Sequence, residues 1–500
     1  MFKSPMDRFR DRAAADREKP TGAGGNLQNP EKSSMACVPP KIIFRREGTF
    51  MSVGMILVWI LVATAIVLLL IMKWKINPTI ALCAGALGLG IACNIGLATT
   101  AATIGSGFGN LMTSLGLPIG FGIILGELLS ECGGCRVIAQ TMLKGVGPKM
   151  AIWACALCGF ILSVPVFFDV AFIILCPLCV EIAREIKKPM PYVIGPMAAG
   201  AMCAHHLVPP TPTPMLVPDY FDVSLGEMVL YGALIGAVVV FVAVKIYTKM
   251  LDHGFWNPAT CENGTDLAMT EPAPLPEKLP SFGLAMVPIL LPVVLIILST
   301  VTGAMGIQSE IISFVSNKNV AMLIGALSAY AVASVNMDGK AKDKAAGKAM
   351  ADSGLVMLIT GAGGSFAAVI GATGLAGKLG EALAASNALT PMVLCLVGYG
   401  IGAIFLLALG SGTTAAITAM TVVSGIIASS GMQINELWPA LACLAGGGMS
   451  LHHINDSGFW VVTNISGFTP VGGFKTYSTI NFIMSILVMI VAIAGCLILP

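Results

Sequence analysis

Four of the five histidines of this chain fall in two near-copies of one octapeptide, GAMCAHHL (Gly200 to Leu207) and GGMSLHHI (Gly447 to Ile454), each closing an apolar stretch. Imidazoles titrate near neutral pH, so such pairs at membrane depth are candidates for proton uptake, the alternative being rings solvated at an interface. The first pair runs into VPPTPTP and the second into NDSGFW, sequences that stop a helix, which places His205, His453, Asn455 and Asp456 near a cavity mouth. A lone carboxylate, Asp169, follows Pro165 in SVPVFFDV. The apolar run makes its ionised form costly, so it is the best single candidate for reversible protonation, with an N-cap as the alternative. Its counterpart LGSGTTAAITA, Leu409 to Ala419, offers the hydroxyls of Ser411, Thr413 and Thr414 beside the freed amides of a half-helix N-terminus. That is a cradle for a carboxylate, unless the hydroxyls bond back to their own helix. In GELLSECGGCR, Glu127 and Glu131 share a helical face as proton carriers or partners of Arg136, and Gly133 and Gly134 offer amides to an anion.

Such groups need elements to hold them. The chain has 56% hydrophobic and 11% charged residues over 500 positions and a mean hydropathy of +0.87, more apolar surface than a water-soluble globule can hide. Apolar stretches of roughly 20 residues recur from Met51 onward without period-2 alternation, which selects helices over a barrel. The expected fold class is an all-α polytopic membrane protein. Its 57 glycines and 29 prolines cluster inside apolar runs, as close helix packing and interrupted helices require. The 14 cysteines show neither a disulfide-framework spacing nor a zinc-site spacing and read as small packing residues.

Residues 1–50 read as a polar, disordered tail, 51–250 as a first transmembrane repeat, 251–281 as a Pro-rich cytoplasmic linker and 282–500 as a second repeat. Each repeat is expected to hold about five crossings: near 54–72, 76–95, 150–182 (broken), 191–207 and 226–249, then 283–302, 318–335, 391–430 (broken), 436–453 and 477–499. Pro118 to Lys149 and Ser353 to Ala388 read as re-entrant hairpins, each after an interfacial stretch, the alternative being a span plus a surface helix. An odd number of crossings inverts the second repeat relative to the first, and octapeptides and broken segments share one offset of 247 residues, 200 to 447 and 163 to 410. One set of loops carries Lys73, Lys75, Arg184, Lys187, Lys188, Lys340, Lys342, Lys344 and Lys348, against Arg136, Lys144, Lys149 and Lys318 opposite, so the first set faces the cytoplasm. The basic tail would then be translocated, which leads to the expectation that the natural chain starts at Met51.

A formal charge of +2 gives no reason to expect a nucleic-acid partner. The glycine-rich GAGGSF, Gly361 to Phe366, lacks the Gly-Lys-Ser/Thr of a phosphate loop. With no catalytic triad or metal constellation legible, neither an enzyme nor a resident cofactor is expected, and the polar groups are too sparse for the rings of a channel.

At these clusters the chain resembles the gluconate permease (GntP) family of proton-coupled organic-anion symporters, within the wider ion-transporter superfamily. The similarity runs from about Met51 to the C-terminus on the motifs CGGCRVIAQTML, VPVFFDVAFIILCPL, a histidine followed by PPTPTP, LALGSGTTAAITA and HINDSGFW. The match covers Gly133, Gly134, Asp169, His205, Pro209, Pro210, Gly410, Ser411, Thr413, His453, Asn455, Asp456 and Gly458. The resemblance implies inverted repeats, two hairpins, elevator-type movement, a homodimer and a bacterial cytoplasmic (inner) membrane. It selects His205 and His453 over His206 and His452. The family pattern often has Glu at Asp169, and has His at Thr211, Gly at Thr213 and Asp at Ala372; the last three departures suggest a substrate smaller or less hydroxylated than gluconate, such as glycerate or hydroxybutyrate. The expectation is a secondary transporter importing a small hydroxylated carboxylate with H⁺. Asp169, Glu127 and His453 are the coupling candidates, and Gly133, Gly134, Ser411, Thr413, Thr414, His205, Asn455 and Asp456 the binding candidates. Na⁺ coupling and an uncoupled small-anion channel are the alternatives.

Overall fold

The computed structural model describes residues 51–499 except 144–146, 165–166, 264–277, 308 and 386–388. The tail 1–50, Pro165 and residues 264–277 of the linker therefore lie outside the described residues. Among the described residues the chain is helical, with one isolated bridge between Glu262 and Phe468, and eight helices are long and apolar enough to cross a membrane.

The first half comprises α1 (Val53–Met72), α2 (Pro78–Ala92), α3 (Leu97–Glu131), α4 (Gly134–Leu143), α5 (Pro148–Leu162), α6 (Phe168–Glu185), α7 (Pro191–Leu207) and α8 (Leu225–Asp252). The second comprises α9 (Phe282–Ala304), α10 (Lys318–Ala333), α11 (Gly339–Ala372), α12 (Leu375–Ala385), α13 (Pro391–Leu409), α14 (Gly412–Ser430), α15 (Leu437–Leu444) running into a π turn at Ala445–Met449, α16 (Ser457–Ile465) and α17 (Thr479–Ile498). Each half holds one very long helix, of 35 residues in the first and 34 in the second. Helix starts follow local chemistry. Asn77 and Thr390 cap helices that open on Pro78 and Pro391, Ser52 and Ser281 cap α1 and α9, and Ser224 forms a reciprocal box with Glu227 at α8.

Two expectations are corrected. The segments read as re-entrant hairpins begin as the C-terminal parts of α3 and α11, followed by the short helices α4 and α12, and α3 and α11 run unbroken through the stretches read as interfacial. Of the Thr, Ser and Gly residues in 97–117, Thr100 and Gly107 are buried in helix packing, while Gly105, Ser106, Gly109 and Thr113 are exposed along a helix that continues through them. Ser365 Oγ donates to the Ile104 carbonyl at 2.8 Å, and a Cβ at Gly107 would lie 2.7 Å from the Gly364 carbonyl oxygen, so the two long helices meet nearly backbone to backbone. Conversely, the segments read as single broken crossings are helical hairpins. Gly398 of α13 faces Val423 of α14, twelve residues either side of the turn, which only an antiparallel pair allows. Helix α5 runs antiparallel to α8, with Trp153 stacked on Phe241 at 4.8 Å and Phe160 beside Gly236. Helix α8 runs antiparallel to α7, through Gly232 on Leu207 and Tyr247 on Gly195. Cys179 of α6 meets Met197 of α7 while Phe168 and Met202 both meet Tyr477, so α6 is antiparallel to α7 and hence to α5. The physical reason is length and turn. Helices α13 and α14 have 19 residues each, about 28 Å apiece, and Gly410 between them is left-handed at φ +66°, which reverses the chain instead of kinking it.

Polar ties gather the helix ends into two layers. In one, Asn336 Nδ2 donates to the carbonyls of Cys132 (2.9 Å) and Lys278 (2.7 Å), Tyr192 donates to Asp252, and Lys475 Nζ donates to the Phe255 carbonyl. In the other, Lys378 Nζ donates to the Met51 carbonyl, Lys318 pairs with Asp219, Glu436 accepts from the Asp222 amide, and Trp438 Nε1 donates to the Leu499 carbonyl. The tips of the two hairpins lie between these layers.

Candidate functional site

Between the hairpin tips lies a cavity of about 330 Å³. The first tip brings Phe167, Phe168 and Asp169, and the second brings Leu409 to Thr413. Helix α7 adds Met202, His205 and His206; the segment after the π turn adds His452 and Asn455 to Gly458; Tyr477, Thr360 of α11 and Pro78 of α2 complete the main walls. Thr213 and Thr413 join their hydroxyls at 3.1 Å, tying the unwound stretch after α7 to the second tip.

The second tip is a capped N-terminus. Ser411 Oγ accepts the Thr414 amide and donates to the Thr414 hydroxyl at 3.0 Å, while the Ser411 carbonyl accepts the Ala415 amide. The amides of Gly412 and Thr413 are what this cap leaves over, and the helix dipole points at the same place. Helix α6 presents its N-terminus from the opposite tip, and its flanking residue Phe167 makes no side-chain cap. Asp169 is therefore not the N-cap; it stands in the first turn and lines the cavity.

Behind these tips is a hydrogen-bonded core. His452 Nε2 lies 2.8 Å from the Gly448 carbonyl, which only accepts, so Nε2 carries a proton. Its Nδ1 lies 2.6 Å from Asp456 Oδ2, a contact that needs one further proton shared between imidazole and carboxylate. Tyr477 donates its hydroxyl to the same Oδ2 at 3.0 Å, and Gly458 N–H donates to Oδ1 at 3.0 Å, which makes Asp456 the cap of α16 as well. Among the described residues, no Lys or Arg lines the cavity.

The remaining candidates lie elsewhere. Glu127 is buried and pairs with Lys348 of α11 at 2.6 Å, with Glu131 3.9 Å from the same ammonium. Gly133, at φ +77°, turns the chain between α3 and α4 with its amide given to the Ser130 carbonyl, and Gly134 is buried at the start of α4. With α3 continuous, this is the end of a long helix and not a tip in the cavity. Thr414 is fully buried behind Ser411, its side chain set against Gly363 of α11. His453 Nε2 donates to the Leu407 carbonyl at 2.7 Å, outside the cavity, whereas Asn455, in the cavity wall, donates Nδ2 to the same oxygen at 2.9 Å and keeps its Oδ1 buried and unpartnered among the described residues. Sequence reasoning passed over His206, His452 and Tyr477. For His452 a signal existed: the shared offset pairs it with His205, and Asp456 follows four residues later.

In fold the chain is similar to the YdaH transporter of Alcanivorax borkumensis, with a TM-score of 0.55 at 14% identity over 84% of this chain and 98% of that one. It is similar in the same way to MtrF of Neisseria gonorrhoeae, with a TM-score of 0.55 at 15% identity over 81% of this chain and 84% of that one. In sequence it is 30% identical over 450 residues to a high-affinity gluconate transporter of Escherichia coli, covering 89% of this chain and 99% of that protein. It is 27% identical over 426 residues to a gluconate permease of Pseudomonas aeruginosa, covering 84% and 92%. With its apolar helices and these bacterial relatives, it is a multi-pass protein of the bacterial inner membrane. The model of the GntP family permease matches residues 55–498, nearly all of the described chain, and the protein belongs to the GntP permease family.

Proposed function

We propose that this permease imports a small hydroxylated carboxylate of the gluconate type by proton symport. The observation that carries the coupling is charge. The cavity holds Asp169, Asp456 and three histidines but no Lys or Arg among the described residues. Two carboxylates and an incoming anion cannot share a low-dielectric site unless protons enter with the anion. Asp456 already shares a proton with His452. Among the described residues Asp169 has no such partner, and it is the group left to take up the coupling proton. The substrate carboxylate sits on the α14 N-terminus beside Ser411 and Thr413, and its hydroxyls face Asn455 and His205. Gluconate is the substrate named for the similar E. coli and P. aeruginosa proteins. Of the three departures that suggested a smaller acid, Ala372 is exposed at the end of α11 and outside the cavity lining, so its residue type does not bear on substrate size.

The two end layers also favour inverted repeats. Met51, at the start of α1, is tied into the layer holding Lys318 and Lys378, whereas Lys278, just before α9, is tied into the opposite layer. With α3 crossing, Arg136 and Lys149 join the layer rich in basic residues, which we assign to the cytoplasm.

Proteoliposomes with an imposed pH gradient test the reading. Wild type is expected to concentrate gluconate or a shorter hydroxy acid when the outside is acidic, and Asp169→Asn to lose driven uptake while keeping exchange. Accumulation driven by Na⁺ alone, or equilibration without accumulation, overturns proton symport.

A further inference from the structure

We infer that His206 is a direct ligand of the substrate carboxylate, donating Nε2–H to an oxygen that the Gly412 and Thr413 amides hold over the start of α14. This rests on the transport reading above and names a residue outside the family motif. The ring is only 3% exposed, yet it lines the cavity. It is held edge-on between two glycines of the other half of the chain. A Cβ at Gly412 would lie 2.8 Å from its Cε1 and 3.3 Å from its Nε2, and a Cβ at Gly448 would lie 2.6 Å from its Nδ1. Only glycine at both places leaves room for an imidazole, and Gly448 belongs to the π turn, a departure from α-helix common at functional sites.

The chemistry of the two edges differs. Nδ1 is buried without a hydrogen-bond partner among the described residues, and the glycine Cα beside it offers no acceptor, so a proton there would be stranded; the neutral ring keeps its proton on Nε2. That edge is turned to Gly412, the first residue of the 19-residue helix α14. The Ser411 cap takes the next two amides and leaves those of Gly412 and Thr413. Two orphan amides, a helix dipole and one imidazole N–H form a three-donor seat for one carboxylate. Neighbouring His205 meets the ring edge-to-face at 4.9 Å and His452 lies at 6.3 Å; the three atoms nearest a Cβ at Gly412 belong to His206 and Gly448.

The test is counterflow of gluconate and of shorter hydroxy acids by the reconstituted full chain, reading KM, kcat and thermal stability. His206→Ala is expected to raise KM about 10- to 100-fold, the loss of one hydrogen bond to a charged group, with kcat far less affected. His206→Gln, whose amide nitrogen reaches the Nε2 position, is expected to restore KM to within a few-fold. Gly448→Ala keeps the histidine but pushes it off its seat, and should raise KM as well. An unchanged KM in His206→Ala, or a His206→Gln variant that folds and remains as impaired as Ala, overturns the assignment. If His206→Ala does not fold, the Gln and Gly448→Ala variants decide: wild-type KM in Gly448→Ala refutes it. Transport of no hydroxy acid by wild type refutes the parent reading and this one with it, whereas a transporting wild type with an indifferent His206 refutes only this one.

Discussion

Gly410→Ala puts the second hairpin tip to a matched test. Gly410 sits at φ +66°, where a Cβ costs about 1–2 kcal/mol. Gly431, at the other end of α14, has the same conformation at φ +65°, and nothing lies within 4 Å of its Cβ position. At Gly410 the added carbon would overlap the Asn455 carbonyl oxygen and lie 2.7 Å from its carbonyl carbon and 2.9 Å from its Cγ. Asn455 cannot retreat freely, because its Nδ2 is held by the Leu407 carbonyl one turn before the glycine. Relief therefore takes a shift on the order of 1 Å in the tip or the facing loop, and a displacement of that size in a binding constellation costs about 100-fold in rate. Strain alone, shared by both variants, should move stability by similar amounts. The assay is initial uptake of gluconate per inserted protein, with thermal stability in detergent alongside. The expected result is a loss of roughly 100-fold for Gly410→Ala and a few-fold at most for Gly431→Ala. Equal uptake in the two variants would refute the claim that the tip is fixed against Asn455.

Lys348→Ala should destabilise more than Glu127→Gln, about 1–3 kcal/mol against under about 1, because it strands a buried carboxylate while the reverse change leaves a solvated ammonium; equal melting shifts would contradict this. Neither should alter KM, since the pair lies outside the cavity. Gly447→Ala should yield no folded protein, because its Cβ would overlap the Ala416 backbone, whereas Gly400→Ala, with open space at its Cβ, should express normally; size-exclusion profiles decide.

The sequence made the spans plain because roughly 20 apolar residues in a row have few other uses. It hid which interrupted stretches reverse. Residues 391–430 are long enough for two crossings, and that arithmetic alone argues against one broken helix. The left-handed Gly410 settles the reversal, but a glycine in a Gly-Ser-Gly run looks the same whether it kinks or turns a chain. The opposite error befell 97–117, read as interfacial although α3 runs straight through it and meets α11 at Gly107. Within the site, Asp169 and Ser411 were legible as polar groups at helix breaks. His206 was not, because its place depends on Gly412 and Gly448, more than 200 residues away and brought together only by the fold.

One small junction bears on how this site withstands mutation. His453 and Asn455 both donate to the backbone oxygen of Leu407, an acceptor that no substitution at 407 can delete. Two donors on one permanent acceptor form a redundant fastening. Loss of the His453 side chain leaves Asn455 holding the loop to the tip, so the cavity wall tolerates a change at 453 that would open a singly fastened one.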